Sequence, residues 1–505
     1  MVRWLWSALS LLVFVGVAAA TDVRFLVTVG DGVLAQPQSG RVLVVLANRA
    51  RPEPRLTIGD TGLDAPVLIG TDGNELAAGK EVQLDGTCLT FPIAQLRDLR
   101  PGQYLAQAVF DYNPDLRIPT APGNLYSVPT PITIPEAGQV VAKLTLTKKI
   151  PDEQLPKETD FLKWRKFPSA KLSAFYGRPM FLRVGIWLPK ARAADANRKF
   201  PVRVHIGGYG SRYTTLAHMA LPGTASYAAW NDPGAPQFIT LHLDGCGPLG
   251  DPYQVNSANH GPYGDAVVQE LIPAIEKEFG GNGQRVTDGA STGGWVSLAL
   301  QVFYPDAFKG CWSFVPDPVD FRHFELINIY DDQNAYVNKH GFERPAKRDV
   351  NGDTVYHVRH ECQVERVLGR GNRWELSGKD WGAWNATYGP RGADGRPVPL
   401  WDGASGVLNR GGVEHWRKYD LRHVLETNWA TLGPKLAGKL HVFAGEADDY
   451  FLNNAVHRLD AFLRKAQPPA GAQIIFGPRG THGFTPLTTR QVLEAMHTAV
   501  TPGQP

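Results

Sequence analysis

The chain has 505 residues, 43% hydrophobic and 20% charged, which excludes a disordered chain and leaves room for two or three globular domains. A formal net charge of +3, dispersed without a long acidic or basic block, offers no footprint for nucleic acid or an anionic membrane surface. The 39 prolines and 53 glycines point to many loops and short elements, and no internal repeat is visible.

Residues 1–20 read as an export signal. Arg3 supplies a short basic region, Leu5 to Val17 an apolar one, and Ala18-Ala19-Ala20 the small residues of a cleavage site. The alternative is an uncleaved anchor; nothing later in the sequence approaches the length of a membrane span. The mature protein is therefore expected to be periplasmic or secreted. Export permits disulfides, and the cysteines are four: Cys88, Cys246, Cys311 and Cys362. They show no zinc spacing, and Cys311, in an apolar run, reads as a buried thiol.

From 21 to 149 the pattern is all-β. Short alternating runs such as Arg24 to Val29, Arg41 to Leu46, Tyr104 to Phe110 and Val140 to Leu146 are separated by Gly, Pro, Asn and Asp clusters. A small β-sandwich is expected. Its aromatics are few and scattered, so a packing module is a better reading than a glycan-binding one. Residues 150–170, charged and proline-punctuated, read as a linker.

From 171 to 505 strands alternate with helices, the pattern of a doubly wound, mainly parallel sheet covered on both faces. Phe181 to Leu188, Val202 to Ile206, Phe238 to Leu243, Phe308 to Val315, Lys439 to Gly445 and Ala472 to Gly477 read as strands. Tyr263 to Phe279 reads as an amphipathic helix. After that helix comes Gly289-Ala-Ser-Thr-Gly293, a G-x-S-x-G pentapeptide between a β-branched run and a helix that stops at Pro305. Chance produces such a pentapeptide in some chains of this length, but the strand-turn-helix setting is the one a nucleophile elbow needs. Ser291 is the candidate nucleophile.

Residues 321–432 interrupt the alternation and are too long for a connection, so they read as a cap insertion. Six of the thirteen tryptophans lie there. They are either core for a small insertion or a stacking wall for a sugar or aryl group, with Trp374 and Trp381 as candidate substrate-binding residues. Beyond the strand at 439–445, Asp448 stands where the acid of a triad is needed, with Asp449 and Glu446 as alternatives. His482 follows the last strand in Gly-Thr-His-Gly-Phe. The order Ser291, Asp448, His482 differs from the orders of the chymotrypsin-type and subtilisin-type proteases. The strand Val202 to Ile206 opens into Gly207-Gly208-Tyr209-Gly210, so the backbone N–H groups of Tyr209 and Thr292 are the candidate oxyanion donors.

Residues from about 180 to 495 thus resemble an α/β-hydrolase of the esterase group related to esterase D and enterochelin-esterase-like enzymes. The motifs that carry this are Gly207 to Gly210, Asn259-His-Gly-Pro-Tyr-Gly264, Gly289 to Gly294 and Thr481 to Phe484; the run from Pro316 to Phe321 also resembles exported bacterial esterases. The resemblance implies hydrolysis of a small-molecule or carbohydrate-linked carboxylic ester through an acyl-enzyme, with no metal or organic cofactor. A prolyl-oligopeptidase-like peptidase is disfavoured because the region before the hydrolase is too short for a propeller. A non-catalytic binding protein on this scaffold would be expected to have lost one of the three residues.

Overall fold

The computed structural model describes residues 21–195 and 197–501; the expected export segment 1–20 lies outside them. The N-terminal strands are β1 (Asp22–Val29), β2 (Gln38–Ala47), β3 (Val67–Leu76), β4 (Glu81–Leu84), β5 (Leu89–Phe91), β6 (Gly102–Asp111), β7 (Leu125–Ser127), β8 (Thr130–Ile134) and β9 (Gln139–Lys149). The expected sandwich takes the form of one continuous hydrogen-bonded sheet, ordered β4-β1-β9-β7-β6-β2-β3-β5, with β8 also on β6. Only β1 and β9 run parallel.

This sheet must curl. β3 and β4 are joined by a four-residue connection yet stand six places apart in the order. Six flat spacings would span about 29 Å, whereas the chain from Leu76 to Glu81 reaches at most ~17 Å. Curling closes the sheet around one core that includes Phe25, Val44, Phe110 and Leu144. Most strands alternate accordingly: β9 buries Ala142, Leu144 and Leu146 and exposes Lys143 and Thr145. In β2 the run from Arg41 to Leu46 is buried throughout, because its second face, Leu43 and Val45, packs on Val364, Val367 and Leu368 of a helix from the other part of the chain.

The second sheet contains β10 (Leu162–Pro168), β11 (Phe181–Trp187), β12 (Phe200–Ile206), β13 (Ile239–Leu243), β16 (Gly281–Ala290), β17 (Cys311–Phe314), β20 (Leu440–Gly445) and β21 (Gln473–Gly477). The short ladders β14 (Asn256–Ser257) with β15 (Gly261–Pro262), and β18 (Pro345–Arg348) with β19 (Thr354–His357), stand apart from it. The order is β10-β11-β13-β12-β16-β17-β20-β21; the β10–β11 and β11–β13 pairs are antiparallel and all others parallel. The expected linker 150–170 is therefore partly an edge strand. Leu162 and Trp164 point inward while Lys163 and Arg165 face outward, and those charges, with the exposed Lys166, gave the segment the composition of a linker.

Helices cover both faces of this sheet. Ile272–Phe279, Thr292–Phe303, Leu421–Leu436 and Asn453–Leu463 share a core with Val204, Leu241, Cys311 and Val442. On the opposite face Thr489–Val500 packs on Val286, Trp312, Phe314 and Phe443. With both faces covered, β13 and β17 are buried at every position.

Between β17 and β20 lie the β18–β19 ladder and the helices Val358–Leu368, Asp380–Tyr388 and Arg410–Trp416. The helix Leu421–Leu436, which includes the end of the expected insertion, belongs to the sheet's covering layer. All four cysteines are free thiols, and burial pushes Cys311 up to about 12. Among the described residues no helix is long and apolar enough to cross a membrane.

Candidate active site

Ser291 sits directly after β16, at the carboxyl end of the sheet where open α/β folds bind ligands. Its backbone has φ +59° and ψ −123°, a strained conformation that aims the side chain away from the turn. The turn is too tight for side chains on either side. A Cβ on Gly289 or Gly293 would fall on the carbonyl oxygen of Ile206 at the end of β12. The N–H of Ser291 donates to Phe314 O at 3.0 Å and so fastens the elbow to β17.

His482 Nε2 lies 2.9 Å from Ser291 Oγ, and its Nδ1 lies 2.9 Å from Asp448 Oδ2. Asp448, 1% exposed, is held by the N–H groups of Tyr450 and Leu452 at 2.9 and 3.2 Å. An ionised carboxylate only accepts, so Nδ1 carries the hydrogen and Nε2 keeps a lone pair for the serine hydroxyl. Burial alone would lower the His482 pKa. The hydrogen bond and charge of Asp448, with the charges of Asp317 and Asp449, outweigh burial and raise it.

The other two candidate acids stand elsewhere. Asp449 accepts from the backbone N–H of His482 at 3.2 Å, and Glu446 pairs with His457 at 2.9 Å. Each positions the loop without reaching the imidazole of His482.

The Gly207–Gly210 turn lies against Ser291: a Cβ on Gly208 would touch that of Ser291. Asp251 Oδ2 takes the N–H of Gly210 at 3.1 Å, and Ser211 N–H donates to Gly208 O at 3.0 Å. The N–H groups of Tyr209 and Thr292 have no acceptor among the described residues, so both remain available beside the serine. The Tyr209 hydroxyl donates to Gly378 O and ties this turn to the segment between β17 and β20.

A cavity of about 410 Å³ opens above Ser291 and His482, a volume within the roughly 300–1,000 Å³ range of small-molecule sites. Trp381 and Trp384 line it. Trp374, expected in the same wall, is not there. It is 2% exposed inside the insertion, stacked on Trp401 at 4.6 Å, and its N–H donates to Trp401 O at 3.1 Å. An indole that finds both a stacking partner and an acceptor inside the insertion is core, not wall.

Sequence reasoning missed two contributors. Asp317, just past β17, accepts from Tyr253 Oη at 2.6 Å, Thr292 Oγ1 at 2.9 Å and Trp384 Nε1 at 3.2 Å, and its Oδ1 lies 3.4 Å from Ser291 Oγ. Burial raises its pKa, and these hydrogen bonds offset only part of that. Its signal was present: a carboxylate just past a parallel strand, the criterion that singled out Asp448. The second is the N-terminal sheet, whose loop brings Gly59 and Thr61 to the cavity rim. No local pattern could have revealed that.

Residues 253–387 match the family model described as "Putative esterase". No curated protein matches the chain. Among solved structures, the chain is similar to a ferulic acid esterase at 14% identity, covering 67% of this chain and 94% of that one with a TM-score of 0.37. It is similar to an S-formylglutathione hydrolase from Agrobacterium tumefaciens at 12% identity, covering 68% and 99%, TM-score 0.38. It is also similar to FphF, a fluorophosphonate-binding serine hydrolase of Staphylococcus aureus, at 13% identity, covering 67% and 98%, TM-score 0.38. The family match across 253–387 spans the strained turn at Ser291, and with the order of the eight-stranded sheet it supports a carboxylic ester hydrolase similar to that esterase family.

Proposed function

We propose that the ester is cleaved by two-step acyl transfer through Ser291, His482 and Asp448. His482 Nε2 takes the proton of Ser291 Oγ as the oxygen attacks the carbonyl carbon, and Asp448 holds the imidazole and stabilises its charged form. The N–H groups of Tyr209 and Thr292 receive the oxyanion. His482 then protonates the leaving alcohol. A water that gives its proton to the same nitrogen frees the acid.

The observation that carries this reading is the unbroken run of 2.9 Å contacts from Asp448 through His482 to Ser291. Ser291→Ala should leave the fold intact and lower kcat/KM for p-nitrophenyl acetate by on the order of 10⁴-fold or more. A purified variant that keeps more than a few per cent of the parent rate would remove Ser291 from the reaction.

The segment between β17 and β20 acts in this reading as a cap that walls the acyl-enzyme from bulk solvent while admitting the water that frees the acid. The N-terminal sheet holds that cap in place. Arg41, 1% exposed, donates to Val367 O and to Asn372 Oδ1, each at 2.8 Å, and Arg117 donates to Leu368 O at 3.0 Å and Leu376 O at 3.1 Å. Export rests on residues 1–20 alone, and detection of a mature chain beginning near Thr21 outside the cytoplasm would test it.

A further inference from the structure

Five carboxyl groups line the cavity above Ser291: Asp317, Glu325, Glu361, Glu365 and Asp380. Lys379 is the one lysine or arginine in that lining among the described residues. The proposed acyl transfer uses none of the four glutamate and aspartate side chains beyond Asp317. Concentrating them, buried, around one cavity is electrostatically unfavourable, since like charges repel and each loses hydration.

Glu325 shows that this arrangement is not explained by the cap's own hydrogen bonding. It is 3% exposed, and its Oε2 has no hydrogen-bond partner. It stands in a tight turn closed by Phe324 and Ile327, whose N–H and C=O groups exchange bonds of 2.9 and 3.1 Å, and its φ is +53°. A non-glycine residue held in that region with an orphaned buried carboxyl costs stability twice. Glu361 and Glu365 are better satisfied. Glu361 Oε2 accepts from Trp381 Nε1 at 2.8 Å, and Glu365 accepts from Ser377 Oγ and the N–H groups of Trp381 and Gly382. Burial still pushes Glu361 up to about 7, Glu365 to about 8 and Glu325 well above its ordinary value. A cation arriving among them would favour their ionised forms.

The same lining presents the aromatic side chains of Tyr356, Trp381, Trp384 and Tyr450. Aromatic faces with carboxylates behind them attract a diffuse organic cation, which keeps little hydration to lose. A bare metal ion fits less well: among the described residues no group of three or more His, Cys, Asp or Glu side chains is placed to ligate one.

We propose that this cavity binds a cationic substrate group, a quaternary ammonium carried by the ester, between the Glu325 and Glu361 carboxyls and the Trp381 and Trp384 rings. As a substrate class this rests on ester cleavage at Ser291; as a binding site it does not. Two measurements separate those readings. The first is calorimetric titration of the full-length protein with choline and with 3,3-dimethyl-1-butanol, its uncharged carbon analogue of nearly equal shape. Choline should bind at least about tenfold more tightly, the size expected for a partly desolvated cation among aromatic rings. Glu325→Gln and Glu361→Gln should each shrink that ratio, and the second variant serves if the first fails to fold. Equal or weaker binding of choline, or a ratio that neither variant changes, would overturn the proposal whether or not the protein is active.

The second measurement places the cation on one side of the ester. Acetylcholine is compared with 3,3-dimethylbutyl acetate for a cationic alcohol. The p-nitrophenyl ester of glycine betaine is compared with that of 3,3-dimethylbutyric acid for a cationic acyl group. Each rate is divided by its own spontaneous rate. A kcat/KM preference of about tenfold for the charged member in either pair supports the proposal and names the side. No preference in either pair, with both neutral esters turned over and Ser291→Ala inactive, overturns it while the acyl-transfer reading stands.

Discussion

The floor and the roof of the cavity are built on different principles. The floor, Ser291, His482 and Asp448, stands in the loops that follow β16, β21 and β20 of one sheet, and its side chains are paired to one another or to backbone. The roof is assembled from the segment between β17 and β20 and a loop of the N-terminal sheet, and one of its carboxyls has an oxygen with no partner. The floor's contacts run from Asp448 through His482 to Ser291. In the roof, Glu325 Oε2 has no hydrogen-bond partner among the described residues. In the proposed reaction that contrast separates the groups that would perform the chemistry from those that would select the substrate, and variants on each side should behave differently.

The largest effect should fall on the floor. Asp448→Asn should lower kcat by on the order of 10⁴-fold, because an amide favours the wrong imidazole tautomer. Asp449→Asn, whose native oxygen meets only the backbone N–H of His482, should lose far less; steady-state rates in the opposite order would transfer the acid to Asp449. In the roof, Trp374→Ala removes a buried indole stacked on Trp401 and should lower stability by about 3–5 kcal/mol, read by denaturant unfolding, with substrate selectivity unchanged. Trp381→Ala is the counterpart. It should change KM by about tenfold between bulky and acetyl esters, and equal damage to both substrates would make Trp381 core as well.

The smallest effect is a displacement in pH, and its sign follows from the charge state of His482. The imidazole must be neutral to take the serine proton, so kcat/KM rises as pH climbs through its pKa. Because that pKa is raised, the acid limb should lie above the ordinary 6.5. Asp449→Asn removes one of the charges that raise it and should move the limb to lower pH; an unmoved or opposite limb would detach Asp449 from His482 electrostatically.

Much of the floor was legible before the fold. Gly289, Ser291 and Gly293 are a local constraint: the turn excludes Cβ atoms on both sides of the serine, so the requirement appears as a spacing. Asp448 and His482 were found because each follows a strand whose apolar run is itself local. The charged segment around Leu162 misled because only alternate residues of that edge strand are buried, and the charges between them resemble a linker.

By itself the sequence determined the alternation of strands and helices, the elbow and the Ser-Asp-His order, since each depends on neighbours a few residues away. Only the tertiary structure decided the roof. Trp374 and Trp381 have the same side chain and similar burial, yet one finds Trp401 O and the other Glu361, partners set by how distant segments pack. Glu325 carries no distinguishing pattern, and its meaning lies in the company that folding gives it. Nor does any residue of the N-terminal sheet announce that Gly59 and Thr61 will line the same cavity as Ser291, more than two hundred residues later in the sequence. Burial and long-range pairing are properties of the assembled layers, and a carboxyl acquires its unusual chemistry only when those layers have removed the water around it.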